Sequence, residues 1–203
     1  MIRLTMFIVL GLAAAPAIAR EDMPLSPVGL PFSPATPRVV PTDHPLHGSI
    51  RLVGIDALPD KLGPVKRDAF AAAVTDTLKR LDMLAADTSK ARFRLTPIWI
   101  GLDSPFRISA TSRAASHLVW RLTRIDDGRT IFEREITTSV QSSGGSAPER
   151  KRGVERLSLM SNIASVALCL DKSAYGRAPA DCALTPGFSY RAPSVPMITF
   201  LRR

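Results

Sequence analysis

Four cations crowd the stretch ERKRGVER, where Arg150, Lys151, Arg152 and Arg156 form the densest charge in the chain. Guanidinium and ammonium groups at this spacing can hold an anion, such as a lipid or lipopolysaccharide phosphate or the carboxylates of an acidic protein. They open a predicted helix, where the positive end of the peptide dipole disfavours cations, so an external anion would relieve a mild cost. The plain alternative is a solvated helix start.

Cys169 and Cys182 enclose twelve residues that include Gly176 and Pro179. In an oxidising compartment such an even pair reads as a disulfide staple. A redox or metal pair would want Cys-x-x-Cys spacing or adjacent histidines, and neither is present. His44 and His47, with Asp43 beside them, offer two imidazoles on a proline-rich arm, too few for a transition-metal site unless a partner completes it, and they read as solvated loop residues. His117 reads as a partly buried strand residue. Glu133 and Glu135 alternate with Arg134, which is the pattern of a solvated sheet face more than of a glycosidase pair. Gly-x-Ser-x-Gly, Ser-x-x-Lys and glycine-rich phosphate loops do not occur. No metal or cofactor is expected.

The elements that must carry these groups begin with a leader. Arg3, the apolar run 4–15 and Ala17-Ile18-Ala19 have the three parts of a secretory signal peptide cleaved after Ala19. The apolar run is too short to span a bilayer, and no other stretch reads as a spanning segment. The protein is expected in the periplasm. Its net charge of +9 loses only Arg3 with the leader. That excess fits an anionic surface, with peripheral membrane contact. It excludes nucleic acid poorly by itself, but export does so, and the aromatic-basic interleaving of single-strand binders is missing.

Residues 20–48 carry seven prolines and read as an extended arm, neither sheet nor helix, with Leu25, Val28, Leu30 and Phe32 available to drape over the domain or a partner. IRLVGI from residue 50 reads as a strand. After Pro64, placed in a first helical turn, Phe70, Val74, Leu78, Leu81 and Leu84 recur at helical spacing and predict an amphipathic helix of about five turns. ARFRLTPIWI reads as a strand whose Pro97 demands an edge or a bulge. GLDSPFRISATSR reads as a polar connection. HLVWRLTRI, the turn Asp126-Asp127-Gly128 and RTIFEREITTSV form a hairpin, and QSSGGSAPER is a flexible break. A second amphipathic helix follows Pro148, with Val154, Leu157, Ile163, Val166 and Leu170 on its apolar stripe.

The expected fold is α+β, a two-layer sandwich of a four-stranded, mainly antiparallel sheet with two amphipathic helices on one face, in the order β-α-β-β-β-α. The expected divisions are a signal peptide (1–19), an arm (20–48), the α+β domain (49–171) and an irregular tail (172–203) tied back by the disulfide, with a short strand at 197–201.

The segments LKRLDMLA, FRLTPIWI, LVWRLTRIDDGRTIFEREI and PERKRGVERLSLMSNIA resemble a broad group of small envelope proteins of Gram-negative bacteria. That group includes auxiliary lipoproteins of lipid and polysaccharide transport systems and the lipopolysaccharide-assembly lipoprotein of the outer membrane. The resemblance spans residues 49 to about 170. It implies the same fold and a part in envelope assembly or transport. Ala19-Arg20 stands where those proteins carry a lipidated cysteine, so their anchoring is not implied. Two functions follow: a non-enzymatic envelope protein contacting a protein complex or an anionic lipid or glycan, or a periplasmic hydrolase or transferase with an unrecognised site.

Overall fold

The computed structural model describes residues 25–105, 110–175 and 182–187. The leader and the strand expected at 197–201 lie outside them. The chain is α+β and centres on one four-stranded sheet. Its strands are β2 (Ile50–Leu52), β5 (Phe93–Asp103), β6 (Thr111–Arg124) and β7 (Thr130–Ser143), in the spatial order β2-β5-β6-β7. The element order is richer than expected, because two-residue strands are added: β1 (Phe32–Ser33), β3 (Lys61–Leu62), β4 (Val65–Lys66) and β8 (Thr185–Pro186). The sheet is mixed. β6 runs antiparallel to β5 and to β7, whereas β2 lies parallel to the start of β5, pairing Ile50 with Phe93 and Leu52 with Leu95. A parallel pair needs a long crossover, and residues 53–92 supply it.

Period-two alternation builds the inner face. Ala114, Ser116, Leu118, Trp120 and Leu122 of β6 are buried, as are Ile136, Thr138 and Val140 of β7. Both strands are longer than the hairpin read from sequence, so part of the expected polar connection and of the flexible break is strand. Pro97 meets the edge expectation for a strand proline, and the bulge falls two residues beyond it. The proline lies beyond the three-residue β2, and the β5–β6 register shifts between Trp99 and Gly101.

Helix α1 (Arg67–Arg80) is shorter than its apolar periodicity implies. Asp82 takes a left-handed φ of 56°, while Met83 N–H reaches Leu78 O at 2.9 Å and Asp82 N–H reaches Lys79 O at 3.1 Å. This is a Schellman-type closure; Leu81 and Met83 are buried through the turn after the helix and not along it. Pro64 is not in the helix either. It follows Gly63 (φ 61°) at the tip of the β3–β4 hairpin.

Helix α2 (Ala147–Ala174) departs most from expectation, because from Leu157 to Asp171 it is buried on all sides and not along one stripe. It is long and apolar enough to cross a membrane by length and composition, yet 94% of that window is buried inside the protein, which marks a core helix. Ser158, Ser161 and Ser165 are buried with their hydroxyls satisfied, because each donates to a carbonyl one turn back, Glu155, Leu157 and Ser161 respectively. Asn162 fixes the helix on the sheet. Its Oδ1 accepts from Trp120 Nε1 at 2.8 Å and its Nδ2 donates to Ile136 O at 2.8 Å.

The sheet covers one side of α2, with α1 beside it; the arm covers much of the rest. Leu25, Val40 and Leu46 join the main core, and Phe32 packs with Ala164, Leu168 and Leu184. The arm is not wholly outside the sheets, since Phe32 pairs with Pro186 and Ser33 with Thr185. The Cys169–Cys182 disulfide forms, with Cα atoms 5.6 Å apart.

Candidate functional site

The turn from β7 into α2 positions the basic cluster. Gly144 and Gly145 are consecutive left-handed residues, φ 82° and 66°, a conformation that favours glycine. It aims both carbonyls at Arg150, whose Nη1 donates to Gly144 O at 3.2 Å and to Gly145 O. Arg150 is buried. The sequence placed it at the surface with the other three cations, but its guanidinium instead closes the turn that launches the helix. Arg152 is exposed, and Lys151 and Arg156 are part-exposed. Lys151 Nζ stands 3.8 Å from Glu155 Oε1 one turn along, the weaker orientation for such a pair. Glu149 and Pro148 in the first turn suit a helix start. Arg113, also exposed, lies on β6 opposite Gln141, at the end of the sheet from which α2 departs.

A second group occupies the outer face of the sheet. His117 Nδ1 lies 2.9 Å from Thr137 Oγ1, and Nε2 lies 3.2 Å from Asp103 Oδ2. Glu135 is 3.8 Å away. A histidine between a carboxylate and a hydroxyl is the vocabulary of nucleophilic catalysis. Here it stands on an open sheet face with the Asp103 side chain 80% exposed, so nothing excludes water from it. Sequence reasoning missed this group because residues 101–113 read as a connection; the continued strand brings Asp103 beside Ala115, next to His117.

On the same face Arg121 grips Glu133 with two hydrogen bonds, 2.8 and 3.1 Å. That hydrogen bonding holds the Glu133 carboxyl below the usual carboxylate range and raises Arg121. The contribution to stability is present above the unfolded pKa and is lost as pH falls through the lower, folded value; being solvated, it is small. We expect the Glu133 carboxyl carbon to titrate by NMR below an ordinary glutamate, and Arg121→Ala to return it to that value. An unshifted midpoint in the wild type would refute the pairing in solution.

A third group was read as solvated loop and is not. His44 is only 2% exposed. Its Nδ1 accepts from Leu46 N–H at 3.1 Å, and its Nε2 faces Asp171 Oδ1 at 3.3 Å. Arg38 Nε donates to Asp171 Oδ2 at 3.0 Å, which raises the Arg38 pKa, and the Tyr175 ring stands edge-on to His44 with centroids 5.0 Å apart. Nothing local distinguishes His44 from His47, since the carboxylate that receives it lies at the far end of α2. Among the described residues no three His, Cys, Asp or Glu side chains gather as a metal site.

No family model and no curated protein matches this chain. Among solved structures it is similar to a lipoprotein candidate of Caulobacter crescentus, with 15% identity, a TM-score of 0.47, and coverage of 66% of this chain and 95% of that one. A minor lipoprotein of Acinetobacter baumannii gives 12%, 0.44, 66% and 97% in the same order. A Xanthomonas campestris protein from a family defined only as a domain of unknown function gives 15%, 0.44, 54% and 61%. At these values the likeness names neither a ligand nor a partner.

Proposed function

We propose that this chain is a non-enzymatic binding or assembly protein of the periplasmic envelope, contacting an anionic lipid or glycan, or an acidic protein partner, through Lys151, Arg152 and Arg156. The observation that carries the proposal is the division of labour within the basic cluster. Arg150 is spent on the turn that launches the helix, which leaves Arg152 exposed with Lys151 and Arg156 part-exposed beside it. A leader at the front of the chain and a charge of +9 point the same way.

The test is sedimentation with vesicles of anionic and of zwitterionic phospholipid at low and high salt. Each basic residue near such a surface is worth about 1 kcal/mol, so replacing Lys151, Arg152 and Arg156 by Gln should weaken binding to anionic vesicles by roughly two orders of magnitude. Zwitterionic vesicles should bind neither protein. Binding by the wild type that ignores both salt and the triple replacement would refute the proposal.

A hydrolase or transferase has one observation in its favour, the His117 group, with His117 as base toward Thr137 and Asp103 orienting it. We expect activated-ester and phosphonate probes to leave Thr137 unmodified. Labelling that His117→Ala abolishes would move the protein to that second reading.

A further inference from the structure

The arm fills a groove whose walls stand without it. The floor is Ala164 and Leu168 of α2, and the far wall is the segment 182–187. That wall is fastened to α2 independently of the arm, by the Cys169–Cys182 disulfide and by Leu184 N–H donating to Ser165 Oγ at 2.8 Å. Lifting the arm therefore leaves the groove in place.

Three features of the groove recognise extended chain. Its edge offers a backbone ladder, in which Gly187 N–H reaches Pro31 O at 2.8 Å and β8 pairs with Phe32–Ser33. Its apolar socket takes the Phe32 ring. Farther along α2, Asp171 takes a guanidinium from a residue six positions later in the bound segment, here Arg38. Strand addition with one side-chain pocket is a general way to read peptides. The occupant is held at separate points: between Phe32 and Val40 the arm is largely exposed, with Val39 at 57%. Such a segment can come away locally while Val40, whose N–H is bonded to Leu81 O, stays seated.

We propose that this groove is a peptide-docking site whose resting occupant is the protein's own arm, and that its partner is an extended, proline-bearing segment of another envelope protein with an aromatic anchor followed by a cation. The chemistry now seated in the groove defines the partner. The arm, being tethered, competes at an effective concentration near millimolar, so partner binding is gated by arm release. The site lies toward the opposite end of α2 from Lys151, Arg152 and Arg156. A failed vesicle experiment leaves it standing, and a failed peptide experiment leaves the vesicle result standing.

The probe is a labelled synthetic peptide with the sequence of residues 25–47, titrated into the full mature chain as wild type, as Arg38→Ala and as Phe32→Ala/Arg38→Ala, each checked by circular dichroism. We expect the double variant to bind at least about tenfold tighter than wild type, whose tethered arm competes at effective concentration. The same peptide with Ala in place of its Phe32 or its Arg38 should bind at least about tenfold weaker. In parallel, hydrogen exchange at the Gly187 amide should accelerate in Arg38→Ala, which removes the guanidinium's hydrogen bond to Asp171 and leaves His44 facing that carboxylate, while the Leu184 amide keeps its rate. No uptake by either variant, equal uptake of the altered peptides, or joint acceleration of both amides would overturn the proposal. Dimers of the double variant without peptide uptake would also overturn it, by assigning the groove to the arm of a second copy.

Discussion

Replacing Asn162 by Ala should lower the melting temperature by roughly 6–12 °C, the equivalent of about 3 kcal/mol in a chain of this size. The amide is wholly buried and serves both layers at once, accepting from Trp120 Nε1 and donating to Ile136 O. Truncation strands the indole N–H in the core, where no water reaches it, and a buried unsatisfied donor costs far more than the net worth of one hydrogen bond. A cycle with Trp120→Phe isolates this effect from the loss of volume. With Leu at 162 and Phe at 120 the stranded donor is gone, so Trp120→Phe should cost about 1–2 kcal/mol less in the Asn162→Leu background than in the wild type. Additive losses by thermal or urea denaturation would mean that the pair does not couple α2 to the sheet.

The second large effect concerns the disulfide. Converting Cys169 and Cys182 together to Ala should cost about 3 kcal/mol, the loop-closure value for a ring of this length. Both cysteines are sealed from solvent, at 0% and 4% exposure, so a small thiol should leave the bond intact in the native protein and reduce it only at the rate of unfolding. The consequence is not confined to the staple. With residues 182–187 loosened, Phe32 loses the Leu184 side of its socket and the β1–β8 pair loses its partner. Protease cleavage within residues 33–39 should then rise well before global unfolding. Rapid reduction under native conditions, or an arm that stays protected in the double variant, would refute this chain of dependence.

Those two effects lie where local pattern ran out. The β6–β7 hairpin was legible because alternation and an Asp-Asp-Gly turn are short-range properties, and β7 carried its solvent face in the open with Glu133 and Glu135. The end of α1 was not legible, because Leu81 and Leu84 keep helical spacing while the backbone has already turned at Asp82. The face of α2 was misread for a related reason. Ser158, Ser161, Asn162 and Ser165 count as polar in any periodicity, yet three satisfy themselves on the preceding turn and the fourth reaches across to the sheet. Among the basic residues the sequence offered four equivalents; only the paired left-handed glycines at 144 and 145 single out Arg150.

The amino-acid order by itself determined the charge, the cysteine pairing, the hairpin and the presence of two helices against a small sheet. Each of these depends on residues close in the chain or on composition summed over it. Tertiary structure decided that the proline-rich arm becomes a third layer, that His44 and Arg38 meet Asp171, and that β2 joins the sheet in parallel. Those outcomes depend on which surface a segment meets far along the chain, from some forty residues away for β2 to more than a hundred for the arm. A proline-rich segment has the same local preferences whether it lies against a helix or in water; the apolar side chains it can bury, and the surface available to receive them, make the choice.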